Sequence, residues 1–268
     1  MDKIEPMEEI KNTLKQMFPG IEAHIDRIAE FFKTNRIAFN ADETSRKLGI
    51  AFLHEADRDI TSCRALYSKK IYAHAVYHLQ QAVEKAMKGY CIGLGMLSIG
   101  EVKAIKHDTP YVLLEALFEK TGLRKLLEIS SQDIKTQFDR ANQSRKDPQE
   151  RLKIARMPFD EIVNTLILID LYGLLNGAMH LQMSQLAANV KAKSASPPPQ
   201  TTALSIAISL YLLGTVSFPH EQFARYPGEA MTPPEYVPEL GVVKATDKIL
   251  DYLLPAITDL TPILLQQP

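Results

Sequence analysis

Between residues 74 and 88 the chain lines up side chains that could bind a charged ligand. His74, His78, Gln81, Lys85 and Lys88 follow one another at steps of three or four, so on a helix they form one stripe. Amines and imidazoles can donate to phosphate or carboxylate, and a glutamine amide can both donate and accept. Ala75, Leu79, Ala82, Val83, Ala86 and Met87 fill much of the remaining circumference with apolar contact. A helix built this way either contacts a polar ligand or satisfies a buried polar network. The spacing is consistent with both.

Two other groups could add to that chemistry. In Arg225-Tyr226-Pro227 the arginine offers a planar fork for phosphate or carboxylate. The tyrosine adds a stacking face with a hydrogen-bonding tip, and the proline fixes the local backbone. The same arginine could equally tie its loop to helix C-termini. The run 140–156 sets Arg140, Arg145, Lys146, Arg151, Lys153 and Arg156 against only Asp147 and Glu150. That excess could help hold a few phosphates. The simpler reading, preferred at this level, is a solvated loop between helices.

Other signatures point nowhere. Gly93-Leu94-Gly95 lacks the third glycine of a dinucleotide fingerprint and ends a helix rather than following a strand. There is no Walker phosphate loop and no GxSxG elbow. The pair His74/His78 lacks the intervening glutamate of a zinc protease and an obvious third ligand, so no metal and no cofactor is expected. Cys63 and Cys91 form no CxxC pair and sit within apolar helical patterns, as small buried thiols do.

The elements that must position these residues are helical throughout. The 268 residues are 46% hydrophobic and 24% charged, with a formal charge of −1, which describes a globular chain with no global footprint for nucleic acid or membrane. Periodicity predicts helices over 7–17, 21–34, 42–68, from Tyr72 to Gly93 or Gly95, over 109–121, 123–141 and 159–190, and a closing helix from Val242. Asp108 or Thr109, Pro110 and Gly122 punctuate the fifth of these. Eleven of the sixteen prolines lie at or beyond residue 197, and the run at 194–199 reads as a linker or long loop. Thr201 to Phe218 carries no charge, but six Ser or Thr and a following Pro219 favour a buried helix over a membrane span. The acidic first residues lack the apolar core of a secretory signal, so a cytoplasmic setting is expected.

The stripe also carries a resemblance. Ala75, His78, Gln80, Gln81, Ala82, Glu84, Lys85 and Lys88 resemble the second-helix pattern of the HEPN superfamily, Ala-x-x-His-x-Gln-Gln-Ala-x-Glu-Lys-x-x-Lys. Ala56-Asp57-Arg58-Asp59-Ile60 with Tyr72 resembles its first helix and exit. His107-Asp108 with Leu113 and Leu114 resembles the start of its third, and Arg225-Tyr226-Pro227 its loop before the last helix. The resemblance implies an all-α, up-and-down helical bundle with a core over 48–121 and 216–262. Residues 1–47 would then be an extension and 122–215 a helical insertion.

It further implies dimerisation through helices, a role near nucleotides or RNA, and in some relatives a nucleotidyltransferase-type partner protein. Some relatives are ribonucleases that use an Arg and a His four to six residues apart. Here the nearest pair, Arg46 and His54, is more widely spaced and misplaced, and no histidine follows Arg225. The reading is therefore a non-catalytic module that binds a nucleotide or RNA phosphate group through His78, Gln81, Lys85, Lys88, His107, Arg225 and Tyr226. One alternative is a ribonuclease or toxin component, with His78 or His107 as base and Arg225 or Lys85 as cation. The other is a dimerisation or assembly module whose polar stripe is structural.

Overall fold

The structure is a computed structural model that describes residues 41–105, 109–121, 147–167, 169–170, 199–226 and 231–266. The expected helices over 7–17, 21–34 and 123–141, most of that over 159–190, and His107, Asp108 and Pro227 lie outside the described residues. The fold is all-α, and no strand occurs among the described residues.

Helix α1 spans Glu43–Ser68. Asp42 caps it, its carboxylate accepting from the Ser45 amide at 2.7 Å, and Lys47 pairs with Glu43 across the first turn. Lys70, at φ 61°, turns the chain into α2, Tyr72–Gly93. That helix ends where the glycine signal predicts, with Gly95 in the left-handed region at φ 71°.

The two helices run antiparallel and approach closely where they lack side chains. A Cβ on Gly49 would stand 2.6 Å from the Gly93 Cα and 3.0 Å from the Gly89 carbonyl oxygen. This contact of backbone on backbone brings Asp59 of α1 against the middle of α2.

Helix α2 is the centre of the bundle and most of its residues are buried. Around it pack α4 (Thr109–Thr121), α6 (Pro199–Ser217) and α8 (Gly241–Gln266), with the short helices α3 (Ile99–Ala104) and α7 (His220–Phe223) at its flanks. The Tyr90 hydroxyl donates to the Ala203 carbonyl at 2.9 Å, tying α2 to α6 inside the core. Cys63 and Cys91 are buried free thiols, both pushed up to about 12 by that burial. The charge-free stretch forms α6, with Ala203, Ile206, Ala207, Leu210, Leu213 and Val216 in the core. No helix among the described residues is long and apolar enough to cross a membrane.

Two elements depart from the expectation. The basic run is not simply a loop, because residues Pro148–Ala155 form helix α5, capped by Asp147 with Pro148 in the first turn. Its Arg151 leans on two rings of the core, 5.2 Å from the Phe218 centroid and 5.9 Å from that of Phe223. Helix α3 was also unforeseen, although Ser98 and Glu101 form the capping box that specifies it.

Arg156, Phe159 and Asp170 are fastened to the last helix and to the turn before it. Arg156 pairs with Glu235, Lys244 lies over Phe159, and the Tyr252 hydroxyl donates to Asp170 at 2.6 Å. A Cβ on Gly241 would collide with the Met157 carbonyl oxygen, so that junction requires glycine.

Candidate functional site

The stripe on α2 keeps its predicted face but divides into two hydrogen-bonded groups. On one edge, Asp59 of α1 receives His78 Nδ1 at 2.8 Å on one oxygen and Lys85 Nζ at 2.6 Å on the other. A carboxylate can only accept, so Nδ1 carries a proton and Nε2 is turned away from the seam. On the other edge, Glu84 accepts from Lys88 at 2.6 Å and from the Gln80 amide at 2.9 Å. The Gln80 carbonyl oxygen then accepts from Gln81 at 2.6 Å. The direction of every bond in this relay follows from its acidic member.

Both lysines are therefore committed. Their side chains are 28% and 15% exposed, and the carboxylates they meet are 11% and 7% exposed. The Lys85–Asp59 pair joins α2 to α1 while Lys88–Glu84 lies within α2, and in either pair removing one partner leaves the other charge stranded. Sequence reasoning placed the lysines on the correct face. It did not name Asp59 as the partner of Lys85, since nothing local links residues 26 apart. Glu84 stands four residues before Lys88, so that pair was legible.

Arg225 stands differently. It follows α7, which is rooted in the core by His220, Phe223 and Ala224. The buried His220 shares a 2.9 Å hydrogen bond with the Tyr236 hydroxyl, so the excursion between them is closed by an interior contact. Burial holds the His220 imidazole down to about 3 and raises the Tyr236 phenol, so both remain neutral.

From this base the Arg225 guanidinium lies 5.0 Å from the Tyr77 ring of α2 and 4.9 Å from the Tyr226 ring. Tyr77 in turn meets His78 edge to face at 5.3 Å. Glu221 forms an ion pair with Arg225 at 3.8 Å, too long for a hydrogen bond, and Tyr226 is 55% exposed. Among the described residues the guanidinium has no hydrogen-bonded acceptor.

Distance along α2 sorts the expected residues. His78 neighbours Tyr77, and Gln81 is one turn on, about 6 Å along the axis; Lys85 and Lys88 are about 12 and 16 Å on. The structure thus brings Arg225 and Tyr226 to the His78–Gln81 end of the stripe and leaves the lysines away from it. His107 is outside the described residues. Tyr77 is the contact that the sequence reading omitted, and its place between His74 and Gln81 on the same face was the available signal.

Cavities elsewhere suit other chemistry. One of about 620 Å³ between the 159–170 stretch, α6 and α8 is lined by Asp170, Asp251 and Asp259, a sign that repels phosphate. Among the described residues no group of three His, Cys, Asp or Glu side chains could hold a metal ion.

An antiparallel all-α bundle with a histidine–glutamine–lysine face on its central helix defines the class. The family follows from comparison: the HEPN domain model matches residues 51–160, and the chain contains a HEPN domain. That domain implies a nucleotide- or RNA-related function. Arg225 and Tyr226 lie outside the matched residues. No curated protein and no solved structure matches the chain significantly.

Proposed function

We propose that this HEPN module binds a nucleotide or an RNA phosphate group, without cleaving it, at the corner formed by Tyr77, His78, Gln81, Arg225 and Tyr226. The observation that carries the reading is the Arg225 guanidinium, laid against two tyrosine rings yet with no hydrogen-bonding acceptor among the described residues. A stacked guanidinium is weakly hydrated and held in one plane, which suits it to the oxygens of a phosphate. Tyr226 offers a base an exposed face, and Gln81 offers an amide to its edge or to a ribose. Lys85 and Lys88 act as framework in this account.

Titration with nucleoside monophosphates tests the reading. Wild type is expected to bind in the micromolar to millimolar range, and Arg225→Ala is expected to lose at least tenfold, the usual scale of a charged hydrogen bond. Equal binding by the two proteins, or none by either at millimolar ligand, counts against it. Incubation with mixed RNAs in EDTA should leave them intact; cleavage by wild type that is lost in His78→Ala would favour a nuclease instead.

A second reading has its own support. The Lys85–Asp59 and Lys88–Glu84 pairs are what a structural stripe in an assembly module requires. In that case the partner is a second copy or a nucleotidyltransferase-type protein, and Lys85→Ala should change the sedimenting species while nucleotide response stays the same.

A further inference from the structure

A second arginine close to α7 also lies over two aromatic rings with no hydrogen-bonded acceptor among the described residues. Arg151 of α5 lies over Phe218 and over Phe223, and Phe223 belongs to the short helix α7 that ends two residues before Arg225. Its Nε is buried with no hydrogen-bond partner, and the side chain forms no ion pair among the described residues. Cations elsewhere are held more closely by carboxylates: Arg156 by Glu235 at 2.9 Å, Lys85 by Asp59 and Lys88 by Glu84 at 2.6 Å. Two planar guanidiniums, each set on two aromatic rings and neither hydrogen-bonded to an acceptor among the described residues, thus flank one helical turn.

We infer that Arg151 is a second phosphate subsite and that the ligand is a single-stranded polynucleotide, whose successive phosphates meet Arg225 and Arg151. This rests on the reading of the Arg225 corner given above and specifies its ligand. A lone nucleotide fills one guanidinium and leaves the other vacant, whereas a strand satisfies both. Stacking prepares each fork in advance, so little side-chain freedom is lost when a phosphate arrives. An open ring such as Tyr226, 55% exposed, also suits a base within a strand, because stacking tolerates any base. Phe218 and Phe223 are nearly buried, so their role is to hold Arg151 and not to stack with a base.

The test is fluorescence anisotropy on the full chain with labelled oligouridylates, from dinucleotide to octanucleotide, in competition with uridine monophosphate across a salt series. The octanucleotide is expected to bind roughly tenfold or more tightly than the monophosphate, with a steeper salt dependence. Arg151→Gln should remove most of that gain and lower the slope of log affinity against log salt by about 0.7, the contribution of one phosphate on a single strand. Its binding of the monophosphate should be unchanged.

Arg151→Lys keeps the charge and most of the packing, so it reads the subsite even if the glutamine variant melts early; it should keep the slope and lose affinity severalfold. Lys153→Ala removes an exposed cation from a different face of α5 and should alter neither. Affinity independent of length, or an unchanged slope in Arg151→Gln, overturns the subsite while leaving the Arg225 reading intact. Failure of wild type to bind the monophosphate or any oligonucleotide removes both.

Discussion

The seam between α1 and α2 and the corner around Arg225 use similar residues to opposite ends. In the seam Lys85 meets Asp59 at 2.6 Å, and beside it on α2 Glu84 accepts from Lys88 at 2.6 Å and orders two amides. Near α7, two arginines rest on aromatic rings and find no hydrogen-bonded acceptor among the described residues. The seam is internally complete and has nothing left to offer a ligand. The corner carries guanidiniums that the fold has positioned on rings but not hydrogen-bonded, with Arg225 only loosely paired to Glu221 at 3.8 Å. Residue type alone therefore does not mark a site; whether the protein has already satisfied the group decides.

Several measurements would break or sharpen this contrast. The largest effect belongs to Gly49→Leu, which forces a side chain between backbones now 2.6 Å from a Cβ position. A loss of about 3 kcal/mol or more is expected in denaturant unfolding, at or beyond the upper end of ordinary overpacking costs. Retained stability would mean the seam is looser than described.

Asp59→Ala strands Lys85 and frees His78 together. Because Lys85 is 28% exposed and can partly rehydrate, the cost should fall near or below the lower end for breaking a buried pair, about 2–3 kcal/mol. A change under about 0.5 kcal/mol would place these pairs with ordinary surface salt bridges.

Acid should strain the base of the corner. The folded His220 imidazole titrates near 3 while the unfolded one titrates near 6.5, so the unfolded state binds more protons between those values. The stabilisation is complete above pH 6.5 and falls on acidification by up to about 1.4 kcal/mol per pH unit through the window. Unfolding curves between pH 6.5 and 5, ahead of most carboxylate titration, should show this slope in wild type and a flatter one in His220→Gln. Equal slopes would contradict the neutral buried imidazole. The smallest stability effect is expected of Arg225→Ala, under about 1 kcal/mol, since an exposed stacked arginine contributes little to folding.

Much of this was readable in the chain. Helix α2 could be bounded from Tyr72 to Gly93 because its period is strong and glycines end it. The range of α1 and the buried face of α6 were equally local. What escaped was of two kinds. Asp147-Pro148 and Ser98-x-x-Glu101 are start signals for short helices, but a dense run of like charges and a pair of glycines masked them. The Asp59–Lys85 bond is different, because it depends on how deeply α1 and α2 approach, which Gly49, Gly89 and Gly93 set from a distance. The spacing of the stripe gave its face correctly and could not show that its lysines were already engaged.

The central claim is that the open corner, and not the lysine stripe, meets the ligand. Lys85→Met and Arg225→Ala compared by calorimetric titration with one nucleoside monophosphate, each at a temperature where it is fully folded, test it most directly. The account predicts that Lys85→Met melts earlier yet binds as wild type does, while Arg225→Ala melts almost normally and binds at least tenfold more weakly. The reverse pattern, with affinity lost on removing the lysine and kept on removing the arginine, would contradict it.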